Sequence, residues 1–185
     1  MYQLFTRICW LLALTLGVHT TAFAKGRVLL PVRAPITMSD YIDLNCKASC
    51  AEQEELLEST NEAAQANEVD QRLLLAIVRV ESSFKVRARN GSNAGLMQVH
   101  TRWHRKKLVG QDPYAVKLNI AVGAAIYRGC LDKHGGNTTK ALKCYNGAAD
   151  PRYVDKIRKA QREIDALLLF NSKSFIGSSP SESEK

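Results

Sequence analysis

The chain of 185 residues is poor in proline and glycine, 5 and 11 respectively, and few of its stretches alternate Val, Ile or Thr with polar residues. That scarcity argues against an all-β sandwich, whose many strands need many turns. Heptad runs and internal repeats are missing, so neither a coiled coil nor a solenoid is expected. The apolar run at residues 8–18 rises roughly 16 Å as a helix, about half of a bilayer core. Acidic residues are in deficit, 18 against 26 Lys+Arg, which leaves a formal net charge of +8. A basic balance points to nucleic acid, an anionic membrane or an anionic polymer, and the compartment decides among them. Hydrophobic residues, in contrast, make up 45% of the chain. That is enough for one ordinary domain with a buried core and too much for a wholly disordered chain.

The N-terminus supplies the compartment. Arg7 precedes the apolar run, and Ala22-Phe23-Ala24 follows a short polar stretch. This is the three-part plan of a secretory signal with cleavage before Lys25. Residues 1–24 are expected to be removed, leaving a periplasmic or otherwise exported protein without a stable membrane span. A membrane anchor is the alternative, and it would need help from the flanks of the run. Cys9 leaves with the signal, so Cys46, Cys50, Cys130 and Cys144 remain, an even number in an oxidising compartment. Of the possible pairings, Cys130–Cys144 with Cys46–Cys50 is favoured, because the former joins two neighbouring helices across a Gly-Gly turn. The cysteines lack the close Cys/His spacing of a metal site. Export argues against a nucleic-acid partner despite the charge.

Residues 25–45 carry Pro31 and Pro35 without a helical period and read as an extended leader. Residues 52–67 read as a helix, giving an N-terminal extension with one helix over 25–66. Asp70 can cap the next helix, in which Leu73, Ile77, Val80 and Phe84 recur at helical steps. Residues 89–94 are turn chemistry, and a short helix is expected around 96–103. Asp112-Pro113 and Asp150-Pro151 each read as a cap followed by proline at the first helical position. The first opens a long helix that stops at Gly135-Gly136, and the second opens a final helix through Phe170. Thr138 or Thr139 starts the helix between them. The expectation is an all-α domain over 67–170 and a disordered Ser-rich tail over 171–185.

Glu81 sits on or beside the apolar face of its helix, next to Val80 and three residues before Phe84. Burial raises a carboxyl pKa, as a general acid at neutral pH needs. Residues 82–111 contain no Asp or Glu but seven Lys or Arg, and close cations would act the other way. The plain alternative is a helix-surface Glu paired with Lys85 at i+4.

The residues that follow change the weighting. The chain reads Glu81-Ser82-Ser83-Phe84, then Gly95-Leu96-Met97-Gln98-Val99, then Asn119-Ile120-Ala121-Val122-Gly123. Later come Ala141-Leu142-Lys143-Cys144-Tyr145-Asn146-Gly147 and Tyr153-Val154. This order and spacing resembles the catalytic domain of soluble lytic transglycosylases, the lysozyme-like family that cleaves peptidoglycan, over residues 73–157. The resemblance implies a lysozyme-like all-α fold, no metal or organic cofactor, and peptidoglycan glycan strands as the partner. A secretion or pilus apparatus is a further candidate partner.

The resemblance also implies roles. Glu81 matches the catalytic acid. Met97 and Gln98 match the cleft floor that touches the sugar, and Asn119 matches the polar residue opening the long-helix motif. Tyr145 and Asn146 match the pair facing the acid, and Tyr153 a later aromatic that supports the site. The family often has Ser-x-x-Gly-Ala-x-Gly before Leu-Met-Gln, where this chain reads Arg89-Asn90-Gly91-Ser92-Asn93-Ala94-Gly95. Ser92 is the candidate substitute for the usual serine. His100-Thr101 stands where a proline is common, and Cys144 where a small residue is common.

Two-carboxylate glycosidases hold a base or nucleophile within roughly 5–9.5 Å of the acid. Here Asp112 and Asp150 are taken as helix caps, and the matching motifs contain no other acid. The resemblance implies that Glu81 acts as acid and then as base, giving a 1,6-anhydromuramic product. A lysozyme-type muramidase, in which water attacks, is one alternative. A non-catalytic wall-binding accessory protein of a secretion or pilus apparatus is another, and an intact Glu81 argues against it.

Overall fold

The computed structural model describes residues 37–46, 51–147 and 150–176, the last nine of these by backbone alone. All of them belong to one compact unit. Residues 1–24, the expected signal, together with Pro31, Pro35, Cys50 and residues 177–185, lie outside the described residues.

Seven helices and a small sheet make up the described chain, in keeping with the all-α expectation. Helix α1 (Met38–Asn45) opens on a capping box, in which Thr37 and Asp40 satisfy each other's backbone N–H groups. Helix α2 (Gln53–Asn67) follows. The extension over 25–66 thus holds two helices, not one. Tyr41 and Ile42 of α1 are buried in the same core as the rest of the domain, which a Pro-containing leader did not suggest.

Helix α3 (Gln71–Ser82) is capped by Asp70, whose side chain accepts the Arg72 N–H. Leu73, Leu74, Leu75, Ala76, Ile77 and Val78 are all buried. A helix apolar on every side must be surrounded, and α3 lies against α2 and α7. Helix α5 (Val116–Lys133) packs along α2 and carries α6 (Thr138–Tyr145) on its other flank. Helix α7 (Tyr153–Ile176) closes the core over α3.

Between α3 and α5 runs a three-stranded antiparallel sheet of β1 (Arg89–Asn90), β2 (Asn93–Ala94) and β3 (Val99–His100). Ala94 stands opposite Arg89 on one side and Val99 on the other. The short helix expected around 96–103 is therefore absent: Gly95 and Gln98 take φ of +79° and +47°, which stops helix growth, and Val99-His100 pairs as β3. A four-residue helix, α4 (Arg105–Leu108), comes just after.

Both Asp-Pro openings are turns that precede their helices. Asp112 accepts from the Tyr114 N–H at 2.9 Å, and α5 starts only at Val116. Asp150 accepts from the Arg152 N–H at 2.9 Å, before α7 starts at Tyr153. Helix α7 runs past Phe170 to Ile176, because neither Gly nor Pro interrupts residues 171–176. Among the described residues, no helix is long and apolar enough to cross a membrane.

Candidate active site

Glu81 lies in the last turn of α3, and the chain leaves that helix by a strained corner. Ser83 and Phe84 both take left-handed backbone, with φ of 51° and 63°. Such conformations cost about 1–3 kcal/mol each for side-chain-bearing residues and persist only where the surroundings enforce them. Here Phe84 is fully buried, its ring edge-on to Tyr41 of α1 at 6.1 Å. Its carbonyl accepts the Ala51 N–H at 3.1 Å. The corner ends α3 with Glu81 opening onto a cleft of about 480 Å³.

Gln98, His100, Trp103, Tyr145 and Asn146 line the cleft with Glu81. Among the described residues, Glu81 is the one carboxylate lining it. Burial raises its pKa above the ordinary value, opposed in part by Tyr153, whose hydroxyl donates to Glu81 Oε1 at 2.7 Å. Burial outweighs the bond, so the carboxyl keeps its proton to higher pH than an exposed Glu. Burial and then the Glu81 charge push up the Tyr153 and Tyr145 phenols, so both stay neutral donors.

The turn that carries Gln98 into the cleft is held by a clasp from α5. Asn119 has no exposed surface, and its side chain bonds only to backbone. Its Oδ1 accepts the Met97 N–H at 2.8 Å, and its Nδ2 donates to the Ala94 and Pro113 carbonyls at 2.9 and 2.7 Å. Gly95 is required beneath it, since a Cβ there would lie 2.2 Å from Asn119 Nδ2. Tyr145 fastens the same turn from α6, its hydroxyl donating to the Met97 carbonyl at 2.7 Å. Cys130 of α5 and Cys144 of α6 form a disulfide that joins the two helices beside the cleft. Cys46 is also disulfide-bonded, and Cys50 lies outside the described residues. No group of three His, Cys, Asp or Glu that could hold a metal occurs among the described residues.

The model of the transglycosylase SLT domain matches residues 58–167, more than half of the chain. The chain belongs to the transglycosylase SLT family. No solved structure matches it. Lytic transglycosylases acting on peptidoglycan typify the family, which makes this SLT domain an enzyme of the peptidoglycan class at family level.

The structure sorts the expected site residues of this SLT domain into three groups. Gln98, Tyr145 and Asn146 line the cleft with Glu81. Met97, Asn119 and Tyr153 are buried behind its walls, so they shape the site and expose no side chain for a sugar to touch. Met97 packs so closely on Gly123 that a Cβ there would meet its sulfur at 2.5 Å. Ser92 lines a neighbouring hollow with Tyr114, and Asn93 takes the place in the cleft.

His100, noted in the sequence only as a departure from the family pattern, and Trp103 and His104, which no motif marks, also line the cleft. The Trp103 and His100 rings stack at 4.0 Å and 15°, and the Trp103 backbone N–H donates to His100 Nδ1 at 3.2 Å. Burial, then Lys107 and His100, lower the His104 pKa. A tryptophan set among cations between two histidines is the signal that could have revealed this wall.

Proposed function

We propose that this SLT domain is a lytic transglycosylase cleaving the β-1,4 bond between N-acetylmuramic acid and N-acetylglucosamine. Protonated Glu81 gives its proton to the bridging oxygen. The C1–O bond breaks, N-acetylglucosamine leaves as the alcohol, and the muramic acetamido oxygen covers C1. Ionised Glu81 then takes the proton of the muramic C6 hydroxyl while that oxygen closes on C1 and displaces the acetamido group. The acid is restored, no water is consumed, and the strand ends in 1,6-anhydromuramic acid.

The observation that carries this reading is that Glu81, its pKa raised, is the single carboxylate lining the cleft among the described residues. A single carboxyl suits a reaction whose nucleophiles belong to the substrate, whereas two-carboxylate glycosidases keep a partner within roughly 5–9.5 Å. Export after cleavage behind Ala24 belongs to the same reading, and a disulfide between Cys130 and Cys144 suits an oxidising compartment.

The test uses purified sacculi. The protein should release muropeptides one water lighter than their reducing-end counterparts, and Glu81→Gln should lower release at least about 10²–10⁴-fold. Reducing ends would turn the assignment to a muramidase. Undiminished release by the variant would remove Glu81 from the chemistry.

A further inference from the structure

We propose that residues 100–107 form a subsite for glycan carrying anionic peptide stems. Trp103, backed by His100, stacks on a sugar ring at the cleft mouth, and Arg102, Arg105, Lys106 and Lys107 pair with stem carboxylates. The inference rests on the peptidoglycan reading of the site and adds a substrate preference to it.

Trp103 is 79% exposed, an unusual state for the largest apolar side chain. One face of its ring is taken by the His100 imidazole, which leaves the other for a ligand. A pyranose offers a face of C–H groups that fits such a ring, with hydroxyls at its edge for the polar side chains of the cleft. Arg102, Arg105, Lys106 and Lys107 lie within four residues of Trp103 along the chain, all of them exposed. None has an ion-pair partner among the described residues, unlike Arg72, Arg128 or Lys156. Residues 82–111 hold no acid, and Asp112, next along the chain, faces Arg87 at 3.8 Å. The segment therefore presents uncompensated positive charge beside a ring platform, complementary to a sugar bearing carboxylates. An anionic membrane would attract the same cations. Trp103 however shares its cleft with the polar side chains of Glu81, Gln98 and Asn146 and rests on an imidazole, which favours glycan.

Binding can be read without cleavage in the Glu81→Gln protein, so failure of this inference and failure of the acid assignment are seen separately. Affinities of parent and variants are measured by titration calorimetry, and because Trp10 lies in the segment expected to be removed, tryptophan emission of the Glu81→Gln protein adds a local report on Trp103. The probes are soluble glycan strands with stems, the same strands stripped by an amidase, and phosphatidylglycerol vesicles. Stem-bearing strands should bind more tightly and perturb the tryptophan emission. Trp103→Ala should weaken both glycans about tenfold, and Trp103→Phe should retain most of the affinity. Reversing charge together at Arg105, Lys106 and Lys107 to Glu should cost the stem-bearing strand about tenfold at low salt and cost the stripped strand, which keeps one lactyl carboxylate per muramic residue, clearly less. Equal affinity of the parent protein for both strands would overturn the proposal, as would unchanged binding by Trp103→Ala. Vesicle binding that needs Trp103, without stem preference, would reassign the surface to membrane.

Discussion

Burial and hydrogen bonding act on the Glu81 carboxyl in opposite directions, and burial is the larger effect. Tyr153 is only 4% exposed and spends its hydroxyl proton on Glu81 Oε1, so it acts from behind the acid. Donation to a carboxylate favours the ionised form. Tyr153→Phe keeps the packing and removes that donor, so the Glu81 pKa should rise further. An acid that works protonated loses activity as pH climbs through its pKa. The alkaline limb of the kcat/KM profile should therefore move to higher pH in Tyr153→Phe, measured as muropeptide release across a pH series. A limb moving to lower pH would mean that Tyr153 serves the neutral acid instead. Tyr145, with its proton on the Met97 carbonyl, should leave the limb nearly in place when changed to Phe.

The elements around Glu81 are tied together by few, long-range bonds, and Asn119 makes the densest set. Asn119→Ala would strand the buried Met97 N–H and the Ala94 and Pro113 carbonyls. The expected loss is about 3 kcal/mol by denaturant melts, since each unsatisfied buried group costs about 1–3 kcal/mol. Gly95→Ala should be destabilising too, through its φ of +79° and the clash of its Cβ with Asn119. Because part of that clash is with Asn119 itself, the double variant should lose less than the sum of the two. These ties explain what the sequence showed and what it hid. Helices α2, α3 and α6 are legible because periodicity and caps are local signals. The segment over 96–103 is apolar enough to pass for a helix, but Asn119, more than twenty residues away, sets its shape. Glu81 stood out as a carboxyl beside an apolar stripe. Its bond to Tyr153 spans 72 residues and has no local signature. Trp103 went unnoticed because a lone exposed ring belongs to no periodic pattern.

At the scale of the whole molecule, the hydrophobic core extends beyond the segment matched by the SLT model. That match begins at residue 58, which leaves out α1 and the first turn of α2. Tyr41, Ile42 and Leu56 nevertheless belong to the one hydrophobic core, with Ile42 and Leu56 fully buried. Helix α1 also reaches both ends of the scaffold that carries Glu81. The Tyr41 ring meets Phe84 at the corner after α3, and its hydroxyl donates to Glu163 of α7 at 3.3 Å. Asn45 accepts from Arg79 of α3 at 2.7 Å. A chain starting at Ala51 should therefore melt well below one starting at Thr37. Losing the burial of Tyr41 and Ile42 costs about 4 kcal/mol at about 1.5–3 kcal/mol per large apolar side chain. That is a large share of the 5–15 kcal/mol, roughly, that holds an ordinary domain together. Activity should fall as well, even at temperatures where the shorter chain stays folded. Without Tyr41, the left-handed Ser83-Phe84 backbone loses a restraint, and the last turn of α3 that places Glu81 is freed. Equal melting of the two chains would confine the cooperative unit to the matched segment. Unequal melting with equal turnover in the folded state would separate the stability of α1 from any part in setting the acid.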